Sequence, residues 1–315
     1  MDYRPLGNTG LTVSRLCFGA LTLGPCQNDL TPEEGGRLIA RAVERGVNFI
    51  DTAQLYRTYP HIREGIKGTG QDIVIASKTY AYEKTAAREA VDEARRALGR
   101  DVIDIFLLHE QESIHTLRGH TPALEELYRL KAVGAVRAVG CSTHRVAGVR
   151  GAIEQGLDVV QALVNLTGLG IMDGSRADME SACADARAAG LGVYGMKVLG
   201  GGNLLRRAEE ALSYALALPC LDSIAVGMGT LGQIEADVAF FERGHFPSSS
   251  FDQSLPGKRL LIEEWCTGCG ECAEACRSRA IKIKSGKAMC RSELCLLCGY
   301  CSQYCREFCV KIVDK

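Results

Sequence analysis

The sequence has no apolar segment long enough to span a bilayer, no marked excess of either charge, and no cationic flank leading into an apolar run at its start. The first absence excludes a membrane-spanning helix. The second, a net charge of -1 over 315 residues, leaves no footprint for nucleic acid or an anionic membrane, so small molecules or proteins are the expected partners. The third predicts no export signal and a cytoplasmic location. Cysteine is also scarce over most of the length. Only Cys17, Cys26, Cys141, Cys183 and Cys220 precede residue 260, and the remaining ten of the fifteen crowd in after it. In a cytoplasmic chain that crowding points to metal ligands rather than disulfides.

Upstream of the crowd, a hydrophobic content of 46% supports a sizeable core. Strand-like runs cover residues 16–20, 48–52, 73–79, 103–109, 136–142, 159–165, 192–198 and 223–228. Amphipathic segments at 33–45, 86–98, 122–133, 177–189 and 208–218 lie between them, several opening with Thr, Ser or Pro. Eight strands with intervening helices predict an α/β fold, a (β/α)8 TIM barrel. A doubly wound open sheet competes, but its Gly-x-Gly-x-x-Gly after the first strand is missing: that strand runs into Phe18-Gly19-Ala20-Leu21-Thr22-Leu23-Gly24. The turn-rich stretch from Phe246 to Gly257 marks a boundary, which predicts a barrel over 1–243, a linker over 244–258 and a small domain over 259–315.

Enzymes of this architecture keep their chemistry at the C-terminal ends of the strands. There the second predicted strand delivers Asp51 and, just beyond, Tyr56; the third ends in Lys78 and the fourth in His109. A phenol titrates near pKa ~10 and needs a cationic neighbour to act as an acid at neutral pH. Lys78, held charged by Asp51, is expected to lower the Tyr56 pKa, and the His109 imidazole to polarise a carbonyl. Singly, each of these residues reads as well as a cap, a packing group or a satisfied polar group.

Over residues 1 to 243 the sequence resembles the aldo-keto reductase family, whose Asp, Tyr, Lys and His are matched in order by Asp51 and Tyr56 in Asp-Thr-Ala-x-x-Tyr, by Lys78 and by His109. The resemblance implies a (β/α)8 barrel that reduces aldehydes and ketones with NAD(P)H, or oxidises the alcohol, with Tyr56 as general acid. It further implies nicotinamide carboxamide contacts from Ser142, followed here by Thr143 where asparagine is common, and from Gln161. Met196 falls where many members stack a tyrosine on the nicotinamide. The glycines after it, Gly200 and Gly201, allow close approach of a pyrophosphate, with Lys197 as a charge partner. No Lys or Arg occurs in residues 226–235, where NADPH-preferring members hold the 2'-phosphate, which leans the expectation toward NADH. His115, Arg118 and His120, after the fourth strand, either bind a substrate anion or decorate a solvated loop.

In the tail, Cys266-x-x-Cys269-x-x-Cys272-x-x-x-Cys276 is repeated as Cys295-x-x-Cys298-x-x-Cys301-x-x-x-Cys305. This duplicated run resembles the bacterial two-cluster ferredoxins. The resemblance assigns Cys266, Cys269, Cys272 and Cys305 to one 4Fe-4S cluster and Cys295, Cys298, Cys301 and Cys276 to the other. Arg277 and Arg306 replace the usual proline after the fourth cysteine. Zinc sites and purely structural clusters are the alternatives. Hydride transfer moves two electrons and a cluster one, and the sequence has no flavin fingerprint to convert between them. Two functions remain open: a carbonyl reductase whose tail relays electrons or docks a redox protein, and an electron-transfer protein whose barrel senses nicotinamide redox state.

Overall fold

Each of the eight apolar runs becomes one stave of a closed parallel barrel. The computed structural model describes residues 1–70, 72–247 and 257–314. An antiparallel ribbon of β1 (Tyr3–Pro5) and β2 (Thr12–Ser14) comes first. The barrel strands are β3 (Leu16–Gly19), β4 (Phe49–Asp51), β5 (Val74–Thr79), β6 (Ile103–Leu108), β7 (Val136–Thr143), β8 (Val159–Leu163), β9 (Gly192–Met196) and β10 (Ser223–Gly227). Each pairs in parallel with its sequence neighbours, and β10 closes on β3. Around them run α1 (Pro32–Glu44), α2 (Tyr59–Gly65), α3 (Lys84–Leu98), α4 (Ile114–Gly119), α5 (Thr121–Ala132), α6 (Val146–Glu154), α7 (Arg176–Ala188), α8 (Ala208–Ala217) and α9 (Leu231–Arg243).

The apolar character of the strands follows from burial on both faces. Their inward residues, among them Cys17, Phe49, Ile105, Leu107 and Tyr194, pack with Leu6, Leu11 and Val13 of the first ribbon, which stops the barrel floor. Their outward residues pack on the helices in a second, larger core. Local signals agree with this arrangement. Thr31 and Glu34 form a capping box ahead of Pro32 at the start of α1, and Gly99 ends α3 in the left-handed conformation. Helix α6 lacked a sequence signal because it carries Gly148 and Gly151, poor helix formers. A Cβ at either would run into Thr143 or the Ile114 backbone, so tight packing overrides propensity there.

Strand β11 (Lys258–Ile262) opens the tail and pairs antiparallel with the last strand. Between them lie α10 (Glu271–Glu274) and the hairpin of β12 (Ile281–Lys284) and β13 (Lys287–Cys290), and β14 (Val310–Asp314) completes the ribbon. Its core is small: Cys272, Ile281, Ala288, Cys301 and Val310. So little apolar burial calls for staples or for a neighbour. Most of the predicted linker, residues 248–256, lies outside the described residues.

That neighbour is the C-terminal mouth of the barrel. Asn203 Nδ2 donates to the Val310 carbonyl at 2.9 Å, and Arg206 reaches the Leu296 carbonyl at 3.3 Å. Strand β14 lies directly on Gly201 and Gly202, where added methyl groups would meet Lys311 and the Ile312 carbonyl. Both glycines have positive φ, 62° and 87°. Gly202→Ala is therefore expected to lift β14 off the barrel, costing about 1–3 kcal/mol of docking. Faster amide exchange in β14 with unchanged exchange in β3 to β8 would be the signature; unaltered β14 protection would refute it.

Candidate active site

Three consecutive strand ends converge at the mouth. Strand β4 ends at Asp51, the turn Gln54–Tyr56 follows it, β5 carries Lys78 inward, and His109 comes directly after β6. Lys78 is 1% exposed, and its ammonium donates to both Asp51 oxygens at 2.8 and 2.7 Å and to the Thr52 carbonyl at 2.8 Å. Its three donors are thereby used. Tyr194 donates to Asp51 Oδ1 at 2.8 Å from the opposite side of the barrel. Above this group, Tyr56 Oη lies 3.5 Å from His109 Nε2, and Tyr80 stacks on the imidazole with ring centroids 4.5 Å apart. Arg57, Glu110 and Lys197 all hold positive φ without being glycine, so backbone strain gathers at the same mouth.

The electrostatics correct one expectation. The Tyr56 pKa is not lowered: burial raises it well above its ordinary value, and the charges of Asp51 and Glu110 push it the same way. The reason is geometric. Lys78 donates to Asp51 and Thr52 and stands 5.2 Å from the phenol ring centroid, so at Tyr56 its charge is offset by the carboxylate bound to it and outweighed by burial. Burial, followed by the charges of Lys78 and Lys197, holds His109 well below its ordinary value, as a neutral imidazole.

Two cavities meet over Tyr56. The first, about 1050 Å³, is lined by Asp51, Gln161, Met196, Lys197, Gly201 and Gly227 on the barrel side and by Lys311 and Asp314 on the tail side. Gln161 Oε1 is buried there without a hydrogen-bond partner. Ser142 lines neither cavity; its hydroxyl accepts from the Glu110 amide at 2.9 Å. Gly200 turns toward Leu204 and Leu169, and Gly201 with Gly202 seats β14. The second cavity, about 1660 Å³, joins Tyr56, His109 and His144 to Glu263, Trp265 and Phe308 of the tail. His115, Arg118 and His120 lie outside both: Arg118 pairs with Glu154 at 2.9 Å, and His120 bonds the Thr116 carbonyl.

The sequence reading missed Tyr194, Tyr80, His144 and the tail residues. Tyr194 had a signal, since it shares the inward face of β9 with Met196 two residues on. The tail residues had none, because nothing local marks a strand as the wall of another unit's cavity.

The cysteine loops are conformational copies. Gly268 and Gly270 in the first run and Leu297 and Gly299 in the second have positive φ at matching places, as do Arg279 and Phe308 three residues after each fourth cysteine. Ala280 N donates to Cys276 Sγ and Cys309 N to Cys305 Sγ, again in register. Cys266, Cys269, Cys272 and Cys305 line one cavity of about 660 Å³. Among the described residues, no group of three or more His, Cys, Asp or Glu closes tightly enough for a single metal ion. Four thiols spread around a cavity, with amide N–H groups aimed at sulfur, fit a multi-iron cluster better than one tetrahedral ion.

The model of the aldo/keto reductase family matches residues 15–212. The chain belongs to the aldo/keto reductase family. A 4Fe-4S binding domain model matches residues 260–282, spanning the first cysteine run. This aldo/keto reductase is similar to L-galactose dehydrogenase of Arabidopsis thaliana, 25% identical over 76% of this chain and 88% of that one. It also resembles 6-dehydroglucose reductase of Novosphingobium aromaticivorans, at 23% identity over 74% and 80%. Among solved structures, an aldo-keto reductase from Pseudomonas aeruginosa superposes with a TM-score of 0.66 at 24% identity, covering 77% of this chain and 94% of that one. One from Bacillus halodurans in its holo form gives 0.64 at 22%, covering 80% and 95%. These two show the fold. The chain is thus an oxidoreductase of a family that uses NAD(P)H, carrying an iron-sulfur domain. No helix among the described residues is long and apolar enough to cross a membrane.

The buried pair sets a stability test. Asp51→Asn strands the Lys78 ammonium and is expected to cost about 3–5 kcal/mol, against about 1–2 for Tyr194→Phe. Denaturant unfolding of the two variants measures both, and an Asp51→Asn protein as stable as its parent would mean that Lys78 is held by something else.

Proposed function

We propose that residues 1–243 of this chain reduce an aldehyde or ketone with NAD(P)H, or oxidise the corresponding alcohol, while residues 259–315 hold two 4Fe-4S clusters on Cys266, Cys269, Cys272 and Cys305 and on Cys295, Cys298, Cys301 and Cys276. The reading is carried by the meeting of Tyr56 Oη and His109 Nε2, 3.5 Å apart, at the floor of a cavity and above a buried Asp51–Lys78 pair. Tyr56 gives its proton to the carbonyl oxygen. His109, neutral and stacked on Tyr80, orients that oxygen. Asp51, Lys78 and Tyr194 lock the floor so that Tyr56 keeps its aim. A reduced nicotinamide, when bound, would supply the hydride; the orphaned Gln161 Oε1 would suit its carboxamide, and Met196 and Lys197, lining the same cavity, would help to hold it. Ser142, under the Glu110 amide, acts through that loop rather than by contact. In the same cavity Lys258 is tied to Asp314 at 2.5 Å, a pair that offers a carboxylate to a ribose hydroxyl and an ammonium to a phosphate alike. The absence of Lys and Arg from residues 226–235 favours NADH. Redox proteins are the natural partners of the clusters, and a nicotinamide sensor would have no need of a proton donor aligned with a neutral imidazole.

Tyr56→Phe is expected to lower carbonyl reduction by about 10²–10⁴-fold while leaving dinucleotide binding intact. Steady-state assays over a carbonyl panel, with a binding titration, test this; a variant with full turnover sinks the mechanism. The pH dependence has a definite sign. Because the Tyr56 pKa is raised, its acid form persists, and because the His109 pKa is lowered, the imidazole stays neutral. Reduction kcat/KM should therefore stay level between about pH 6 and pH 9, and alcohol oxidation, which needs the phenolate, should climb with pH. A limb in the reduction profile near 6.5, the ordinary histidine value, would contradict this assignment.

A further inference from the structure

Two lysine ammonium groups, one from each part of the chain, face the junction of the two cavities above Tyr56. Lys197 follows β9 with a φ of 59°, and among the described residues its ammonium has no hydrogen bond or ion pair. Lys311 belongs to β14 and is 6% exposed; its ammonium bonds the Phe308 carbonyl and lies over the Phe308 ring. Both residues line both cavities, as do Tyr56 and Glu263. Among the described residues, no carboxylate forms an ion pair with either lysine. Glu263 faces them without a bridge, and Glu110 accepts from the Tyr80 hydroxyl. His109 and His144 complete the surroundings as neutral rings, the first depressed by burial, Lys78 and Lys197, the second by burial, Lys197 and Lys311. Burial lowers the pKa of both lysines, and Lys197 lowers that of Lys311 further, so an anion seated between them would restore their charged form.

We propose that Lys197 and Lys311 form an anion site beside Tyr56, built jointly by the barrel and the iron-sulfur tail, which receives an anionic oxygen group of the reacting molecules. Two sources share this chemistry: a carboxylate on the carbonyl substrate and the diphosphate of the dinucleotide. The choice between them deepens the reductase reading and rests on it, whereas the anion site itself does not. The tail is thereby a wall of the reactive site, and Lys311 a binding residue for it.

Trp265, the sole tryptophan, lines the second cavity and reports occupancy by its fluorescence. Dissociation constants for NADH and for succinate, a non-reacting dicarboxylate, should be measured on cluster-loaded full-length parent, Lys311→Met and Lys311→Arg. Cluster absorbance verifies that the tail is intact. A loss of about tenfold or more in succinate binding in Lys311→Met, restored in Lys311→Arg, with NADH unaffected, identifies the substrate carboxylate as the anion. The same pattern for NADH alone identifies the diphosphate. Both constants unchanged overturn the proposal. If Lys311→Met does not retain its clusters, Lys197→Met tests the barrel half of the site by the same titrations and the same criterion. Tyr56→Phe, run alongside, should bind both ligands normally. If it instead turns over, the reductase mechanism fails while the anion site stands.

Discussion

An ammonium at 1% exposure has to be held by oxygen on every side, and the mouth of this barrel is arranged around that need at Lys78. Asp51 accepts two of its hydrogen bonds and the Thr52 carbonyl the third, so a single short strand end supplies the whole cage. Tyr194 then fixes Asp51 from across the barrel. The cage is saturated, and this has a chemical consequence: the Lys78 charge is offset by Asp51 and burial sets the state of the phenol above it. Tyr56 therefore stands in its acid form, next to an imidazole in its neutral form, as the proposed reduction requires. Both states arise from the same burial, and together they present two uncharged hydrogen-bonding groups to a carbonyl oxygen.

Much of this was legible from residues alone. The barrel could be read because parallel strands buried on both faces have to be continuous apolar runs, and because Asp51, Lys78 and His109 each follow such a run at its C-terminal end. The direction of the Tyr56 shift was not legible, since it depends on where the Lys78 ammonium points and on how deeply the phenol is covered. Helix α6 was missed because its glycines serve packing against Thr143 and Ile114 rather than propensity. Gly200 and Gly201 were read as room for a pyrophosphate. Gly201 and its neighbour Gly202 are also the seat of β14, a long-range contact that no local window contains.

That contact changes what the cysteine-rich tail is for. Trp265, a wall of the second cavity, immediately precedes Cys266, and Glu307, another wall, comes two residues after Cys305. The Trp265 indole donates to the Glu307 carbonyl, and the Glu263 amide to the Cys309 carbonyl, so the two loops are tied to each other as well as to the barrel. A domain with so few buried apolar residues needs a further source of order, which the proposed clusters would supply. Whatever orders those loops also orders the roof over Tyr56. The staple and relay readings of the clusters therefore describe one arrangement: on the proposed ligand set, a cluster held by Cys266 and Cys305 would shape the cavity and lie beside it. Relay further requires a molecule in that cavity able to pass electrons singly, because in the proposed mechanism Tyr56 gives a proton and His109 only orients the carbonyl oxygen.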